Sequence, residues 1–252
     1  MIETNALSKR YGDTVVVDGV TLSLPAAEVT AIIGPNGAGK STFLSMIARL
    51  LSIDTGTAHV CGMDVAKAPS DALALKLAVL RQDNQIVARL TVRDLVGFGR
   101  FPHSRGRLTG EDRAMVEEAI GFLGLQDFAE RYLDELSGGQ RQRAFVAMVL
   151  AQDTQTILLD EPLNNLDIRH AVAMMRLVRR AADELGKTIV VVLHDINFAA
   201  AYADRIVAMK NGRVAVEGRV EDVVTETIIG EIFGIEASIR QVDDQIVCLF
   251  RR

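Results

Sequence analysis

The run Gly34-Pro35-Asn36-Gly37-Ala38-Gly39-Lys40-Ser41-Thr42 holds the residues best suited to chemistry in this chain. From Gly34 to Ser41 it fits G-x-x-x-x-G-K-[ST], the phosphate-binding loop. Glycines let the backbone curl so that several N–H groups point into one concavity that holds anions. A helix beginning near Lys40 adds its positive dipole end. Lys40 would bring a point charge to the β- and γ-phosphates of a nucleotide, and the Ser41 hydroxyl would ligate Mg²⁺. The apolar residues 29–33 ahead of the loop read as a strand. This strand–loop–helix context separates the match from a glycine-rich turn.

A second set of polar residues ends another apolar stretch. Residues 156–159 read as a strand that runs into Asp160 and Glu161. In a nucleotide-binding α/β sheet, ligands sit at the carboxyl ends of strands. Asp160 would then face the metal beside Ser41, and Glu161 the γ-phosphate and its attacking water. A carboxylate there can take the water's proton, usually worth about 10²–10⁴-fold in rate. An acidic pair after a strand is common; downstream of a phosphate loop it gains meaning.

Ser137-Gly138-Gly139-Gln140 opens a helix. Ser137 as N-cap with Gln140 three residues on makes a capping box, which is a complete structural reading. Yet two glycines in a first helical turn cost about 1 kcal/mol each relative to alanine. Close approach of something to the backbone would offset that cost, and a helix N-terminus suits an anion.

These residues need a scaffold, and the periodicities outline one. Strands are expected at residues 15–17, 21–24, 29–33, 56–62 and 77–80, with Tyr11 in a loop and a helix continuing over 43–51. From Thr91 to Gln152 the signals are helical: Thr91 can cap a helix over 92–98, and Thr109 another whose stripe is Met115, Val116, Ala119, Ile120 and Leu123. Between them, residues 99–108 contain the breakers Pro102 and Gly106 and the basic residues Arg100, His103, Arg105 and Arg107. By charge alone this is a solvated loop. Strand and helix then alternate over 156–159, 168–185 and 188–193, and Asn211-Gly212 marks a hairpin. Asp243-Asp244 marks another. The expected architecture is α/β: residues 1–84 and 153–252 form the core, and 85–152 an inserted helical subdomain.

Composition narrows the partners. The chain has 252 residues, enough for one large α/β domain, and its net charge of −5 gives no basic footprint for nucleic acid. Cys61 and Cys248 match no metal spacing and read as packed thiols. No apolar run reaches membrane-span length, and the start lacks a signal-peptide pattern, so a cytoplasmic chain is expected.

Taken in order, the phosphate loop, Ser137-Gly138-Gly139-Gln140 and Leu159-Asp160-Glu161 resemble the ATP-binding cassette (ABC) proteins. The resemblance covers essentially the whole chain and implies a P-loop NTPase of the ABC type: a RecA-like α/β core, an antiparallel β subdomain and the helical insertion. It implies ATP and Mg²⁺ as ligands. It also implies a head-to-tail homodimer, in which Ser137, Gly138, Gly139 and Gln140 contact a γ-phosphate held by the partner. By the same resemblance Tyr11 matches the aromatic that stacks on adenine; a lone tyrosine there is otherwise ordinary packing. Gln82 matches the glutamine that reaches Mg²⁺ and the water, and His194 the switch histidine at the γ-phosphate. Asn164-Asn165-Leu166-Asp167 matches the loop that crosses the dimer interface but departs from the commoner form, which begins with serine. Asp167 can equally cap the next helix.

Residues 94–109, including Gly97-Phe98-Gly99-Arg100-Phe101-Pro102-His103, are similar to ferric-siderophore importers and their haem and cobalamin relatives. That similarity favours a permease-docking surface over a plain loop. The expectation is an ATP-hydrolysing importer subunit for iron–siderophore complexes, held at the cytoplasmic face of the membrane by a transmembrane permease and served indirectly by a substrate-binding protein. Haem or cobalamin is the alternative cargo. A soluble ABC ATPase acting on ribosomes or DNA is disfavoured, because the chain has one cassette and no heptad run. A binding module with dead catalysis is opposed by Lys40, Asp160, Glu161 and His194 standing together.

Overall fold

The computed structural model describes residues 1–82, 86 and 88–251. The expected boundary between residues 84 and 85 lies outside the described residues.

Among the described residues the strands form three sheets. The first is antiparallel and joins β1 (Ile2–Tyr11), β2 (Thr14–Leu24), β4 (Thr55–Val60) and β5 (Met63–Asp64) in the order β2-β1-β4-β5. The second runs β10-β9-β3-β8-β7-β6. It is built from β3 (Val29–Ile33), β6 (Leu77–Leu80), β7 (Thr156–Asp160), β8 (Thr188–Val192), β9 (Arg205–Lys210) and β10 (Arg213–Arg219). All its pairings are parallel except β9 with β10, the Asn211-Gly212 hairpin. Strands β3, β7 and β8 are buried at every position, as parallel strands covered on both faces must be. A third sheet is the hairpin of β11 (Ala237–Val242) and β12 (Gln245–Phe250).

The helices are α1 (Lys40–Ile47), α2 (Ser70–Ala74), α3 (Val92–Phe98), α4 (Phe101–Ser104), α5 (Gly110–Phe122), α6 (Gly138–Ala151), α7 (Ile168–Leu185), α8 (Ile196–Tyr202), α9 (Val220–Val223) and α10 (Glu226–Phe233). Helices α3, α5 and α6 pack on one another between β6 and β7 in the chain. Capping boxes start all three, with Thr91, Thr109 and Ser137 as caps. One core therefore mixes sheet residues such as Leu159 and Val191 with helix residues such as Leu95, Ile120 and Phe145.

Three expectations need correction. Tyr11 is not in a loop but ends β1, paired with Thr14, because Gly12 at φ 58° allows a two-residue reversal. The helix after the phosphate loop stops at Ile47 instead of reaching Leu51. Arg49 turns left-handed (φ 57°) and the N–H groups of Leu50 and Leu51 both fall back on the Ser45 carbonyl. Residues 99–108 contain the short helix α4, whose first turn tolerates Pro102 because that N–H has no partner to lose. Arg100 is not solvated either. It is buried, its Nε 2.9 Å from Asp112 Oδ1 and its Nη1 donating to the Ala151 carbonyl. Asp112 accepts in addition from the Thr109 backbone and hydroxyl. These contacts, the backbone N–H first, hold its carboxyl down to about 2.

Candidate active site

Strand β3 delivers the phosphate loop and α1 carries it away. Gly37 (φ 77°) and Gly39 (φ 94°) hold left-handed backbone that favours glycine. Gly39 is constrained twice: a side chain there would place Cβ 2.5 Å from the Val16 carbonyl oxygen. Gly212, in the β9–β10 turn, presses on the same oxygen and would place its Cβ at 2.6 Å. Gly212 N donates to Ala38 O at 3.1 Å, and Asp18 N to Gly212 O at 2.8 Å. The loop is thus gripped between β2 and the hairpin.

Within this grip the Lys40 ammonium donates to the carbonyls of Gly34 (2.9 Å) and Pro35 (3.0 Å). Burial lowers its pKa, against the opposing pull of Glu161 and Asp160. Ser41 Oγ donates to Asp160 Oδ1 at 2.9 Å. Asp160 ends buried β7, and burial raises its pKa more than the Ser41 hydrogen bond lowers it. The cleft over these groups measures about 780 Å³ and is lined by residues 34–42 with Val16, Gln82, Glu161, His194 and Phe233.

Glu161 follows β7 with left-handed backbone, φ 51°. Such a conformation costs a non-glycine residue about 1–3 kcal/mol and concentrates at functional sites. Its carboxylate is held on both oxygens: His194 Nε2 lies 2.7 Å from Oε1, while Oε2 accepts from Gln82 Nε2 at 2.8 Å and from Asn164 Nδ2 at 2.5 Å.

The structure therefore brings Lys40, Ser41, Gln82, Asp160, Glu161 and His194 together. The remaining phosphate-loop residues, 34–39 and Thr42, line the same cleft, whereas Tyr11, residues 137–140 and Asp167 lie outside it. Ser137 and Gly138 are exposed at the start of α6, where Ser137 Oγ accepts from Gln140 N and Gln140 Oε1 from Ser137 N. Gly139 is buried against α7, and a Cβ on it would lie 2.3 Å from the His170 ring. Asp167 caps α7 and accepts from the His170 N–H, with the His170 ring Nδ1 2.8 Å away. Tyr11 is exposed, 5.8 Å from the Lys9 ammonium. Val16 and Phe233 also line the cleft, and no local sequence pattern marks them. The contact of Asn164 with Glu161 was likewise not foreseen.

Comparison with known proteins fits this geometry. The family model for ABC transporters matches residues 17–164. The chain belongs to the ABC transporter family. It is 48% identical over 250 residues to the petrobactin import ATP-binding protein YclP of Bacillus subtilis, covering 99% of both chains. It is 40% identical to the iron(3+)-hydroxamate import ATP-binding protein FhuC of the same species, covering 94% of this chain and 89% of the relative. Among solved structures it is similar to the dimeric post-hydrolysis state of the cassette MJ0796 bound to ADP and Pi. The two share a TM-score of 0.77 and 31% identity over 87% of this chain and 99% of the other. As an ABC cassette it is a P-loop protein with an α/β core.

Proposed function

We propose that this chain is the ATP-hydrolysing subunit of an importer of iron–siderophore complexes. The observation that carries the catalytic part is the Glu161 carboxylate, held at the edge of a phosphate-loop cleft beside the Ser41–Asp160 pair. The cargo rests on the relatives named for petrobactin and iron(3+)-hydroxamate import.

On this reading a triphosphate enters the cleft. Residues 34–42 offer converging backbone N–H groups, and the N-terminus of α1 favours its negative charge. Lys40 leaves the Gly34 and Pro35 carbonyls for phosphate oxygens. Those contacts are stronger, because both partners are charged. The donor set at the cleft floor, a hydroxyl, a buried carboxylate and the nearby Gln82 amide, fits Mg²⁺, which takes hard oxygen ligands and keeps several waters. Ser41, Asp160 and Gln82 would hold it, and when bound it neutralises charge on the phosphates. Glu161 accepts the proton of the attacking water, and Gln82 and His194 keep its carboxylate pointed there. Tyr11 offers its exposed ring to the base.

A second copy supplies the other half of each site. Its Ser137, Gly138, Gly139 and Gln140 face the γ-phosphate, and the loop ending in Asp167 crosses between the copies. Nucleotide favours the closed dimer only through contacts it lacks in the open one. Residues 85–152 form the helical subdomain, inserted between the core segments 1–84 and 153–252. An apolar groove of about 400 Å³ on that region, bordered by the exposed rings of Phe98 and Phe101, suits a transmembrane permease. No helix among the described residues is long and apolar enough to cross a membrane. On this reading the chain sits at the cytoplasmic face, peripheral through the permease, and a separate substrate-binding protein delivers the complex.

The test is Glu161→Gln. It should bind ATP, accumulate as an ATP-bound dimer and lose about 10²–10⁴-fold in turnover; turnover within a few-fold of wild type would overturn the assignment. For the cargo, deleting the gene should abolish uptake of iron-loaded siderophore under iron limitation. Loss confined to haem or cobalamin would correct the cargo and leave the motor intact.

A further inference from the structure

Resting on that reading of Glu161, we infer that Asn164 is a positioning residue for the general base: its side-chain amide fixes which carboxylate oxygen faces the water. A carboxylate offers about four lone-pair sites on two oxygens. In this structure Oε2 takes two donors, Asn164 Nδ2 at 2.5 Å and Gln82 Nε2 at 2.8 Å, which fill it. Among the described residues Oε1 has one contact, His194 Nε2 at 2.7 Å. The free acceptor site therefore lies on Oε1, and that oxygen receives the proton.

Asn164 differs in kind from the other two. Gln82 and His194 line the nucleotide cleft, whereas Asn164 does not. It reaches Glu161 from behind, by a turn closed through Asn164 N donating to Glu161 O at 3.2 Å. There it lines a separate cavity of about 200 Å³ that also borders Glu161, Leu163, His194 and Phe198. Without the amide, the carboxylate has room to swing into that cavity and away from the cleft. The polarity is also specific. Only the NH₂ end of an amide can face an ionised carboxylate, since the carboxylate oxygen accepts and does not donate. Because Asn164 opens the loop that ends in Asp167, the clamp ties the base to the segment proposed to meet the second copy.

The experiment compares ATP turnover and nucleotide binding of the full chain with those of Asn164→Ala, Asn164→Asp and Glu161→Gln. Asn164→Asp keeps the size and turn preference of asparagine but turns a donor toward Glu161 into a like charge. For a positioning role, Asn164→Ala lowers kcat at least tenfold with KM for ATP within twofold, and Asn164→Asp falls further still. Melting temperatures stay near wild type. A purely structural role reverses the order, with Asn164→Asp close to wild type and Asn164→Ala impaired. If the alanine variant does not fold, the aspartate variant decides: near-normal turnover overturns the clamp. Both asparagine variants within twofold of wild type beside an inactive Glu161→Gln would overturn the clamp and leave the base intact. An active Glu161→Gln would overturn the base and the clamp with it.

Discussion

The phosphate loop and the start of α6 are both glycine-containing helix N-termini, and they are finished to different degrees. Around Lys40 the charged groups are held within the chain: the ammonium on two carbonyls, Asp160 by Ser41, Glu161 by three neighbours. A cleft of about 780 Å³ opens over them. At Ser137 the cap closes on its own helix, and the serine and Gly138 lie open on the surface, not lining that cleft. One region forms a lined cleft within a single chain, while the other is a capped helix start left open on the surface. The difference teaches that glycines at a helix start do two jobs, shaping a loop in the first case and clearing a surface in the second.

The sharpest break of this contrast comes from mixing lesions across two copies. On the proposed head-to-tail pairing, Lys40→Ala in one subunit and Ser137→Ala in the other would put both defects on one composite site and leave the second intact. Such a dimer should retain about half of wild-type turnover if the sites fire independently, far above a homodimer carrying both substitutions. Equal inactivation of the two would refute pairing of the two regions across copies. By itself Ser137→Ala loses only a cap, roughly 0.5–2 kcal/mol of stability, so an activity loss far beyond that also separates the two roles.

A steric test comes next. Gly139→Ala puts a Cβ 2.3 Å from the ring of His170, so the start of α6 must shift. ATPase activity should fall by roughly tenfold or more, about 1.4 kcal/mol of activation free energy. Adding His170→Ala should recover part of it. Failure of the second substitution to recover any activity would mean that the glycine serves something other than this contact.

The smallest expected effect concerns acid. Asp112 sits with α3, α5 and α6, and its folded pKa of about 2 lies below the ordinary 3.8. A depressed carboxyl contributes stability that is full above the unfolded pKa and disappears as pH falls through the folded one. Stability of these helices should thus decline between about pH 3.8 and pH 2. Arg100→Met, which removes one of the contacts on Asp112, should shrink that decline in acid-unfolding curves followed by circular dichroism. An unchanged acid slope would show that the Thr109 backbone and hydroxyl alone set it.

What was legible in the chain follows from where the information lies. The phosphate loop, the caps Thr91, Thr109 and Ser137 and the Asn211-Gly212 hairpin are each set by residues within a few positions of one another, so spacing sufficed. The α/β class followed from apolar runs such as 156–159 and 188–193. Harder were contacts between distant segments. Val16 and Phe233 reach the cleft from β2 and α10, and nothing near them in sequence says so. By charge alone Arg100 reads as part of a solvated loop, because burial of a guanidinium depends on what packs over it, here the pairing with Asp112. The end of α1 rested on Arg49 turning left-handed, which arginine does not advertise. Asn164 stood out by its departure from serine, but its target became visible only when the loop was seen folded back on Glu161.

Two glycines 173 positions apart lean on one oxygen, that of Val16. Gly39 lies inside the span matched by the family model, residues 17–164, while Gly212 lies beyond it and Val16 just ahead. The recognisable motif is therefore smaller than the object that gives it shape. A fragment cut at residue 164 would keep every phosphate-loop residue and lose one jaw of the vice that curls it. For anyone transplanting this loop into another protein, the portable unit is three separate pieces of chain, and copying the motif alone would carry the letters without the form.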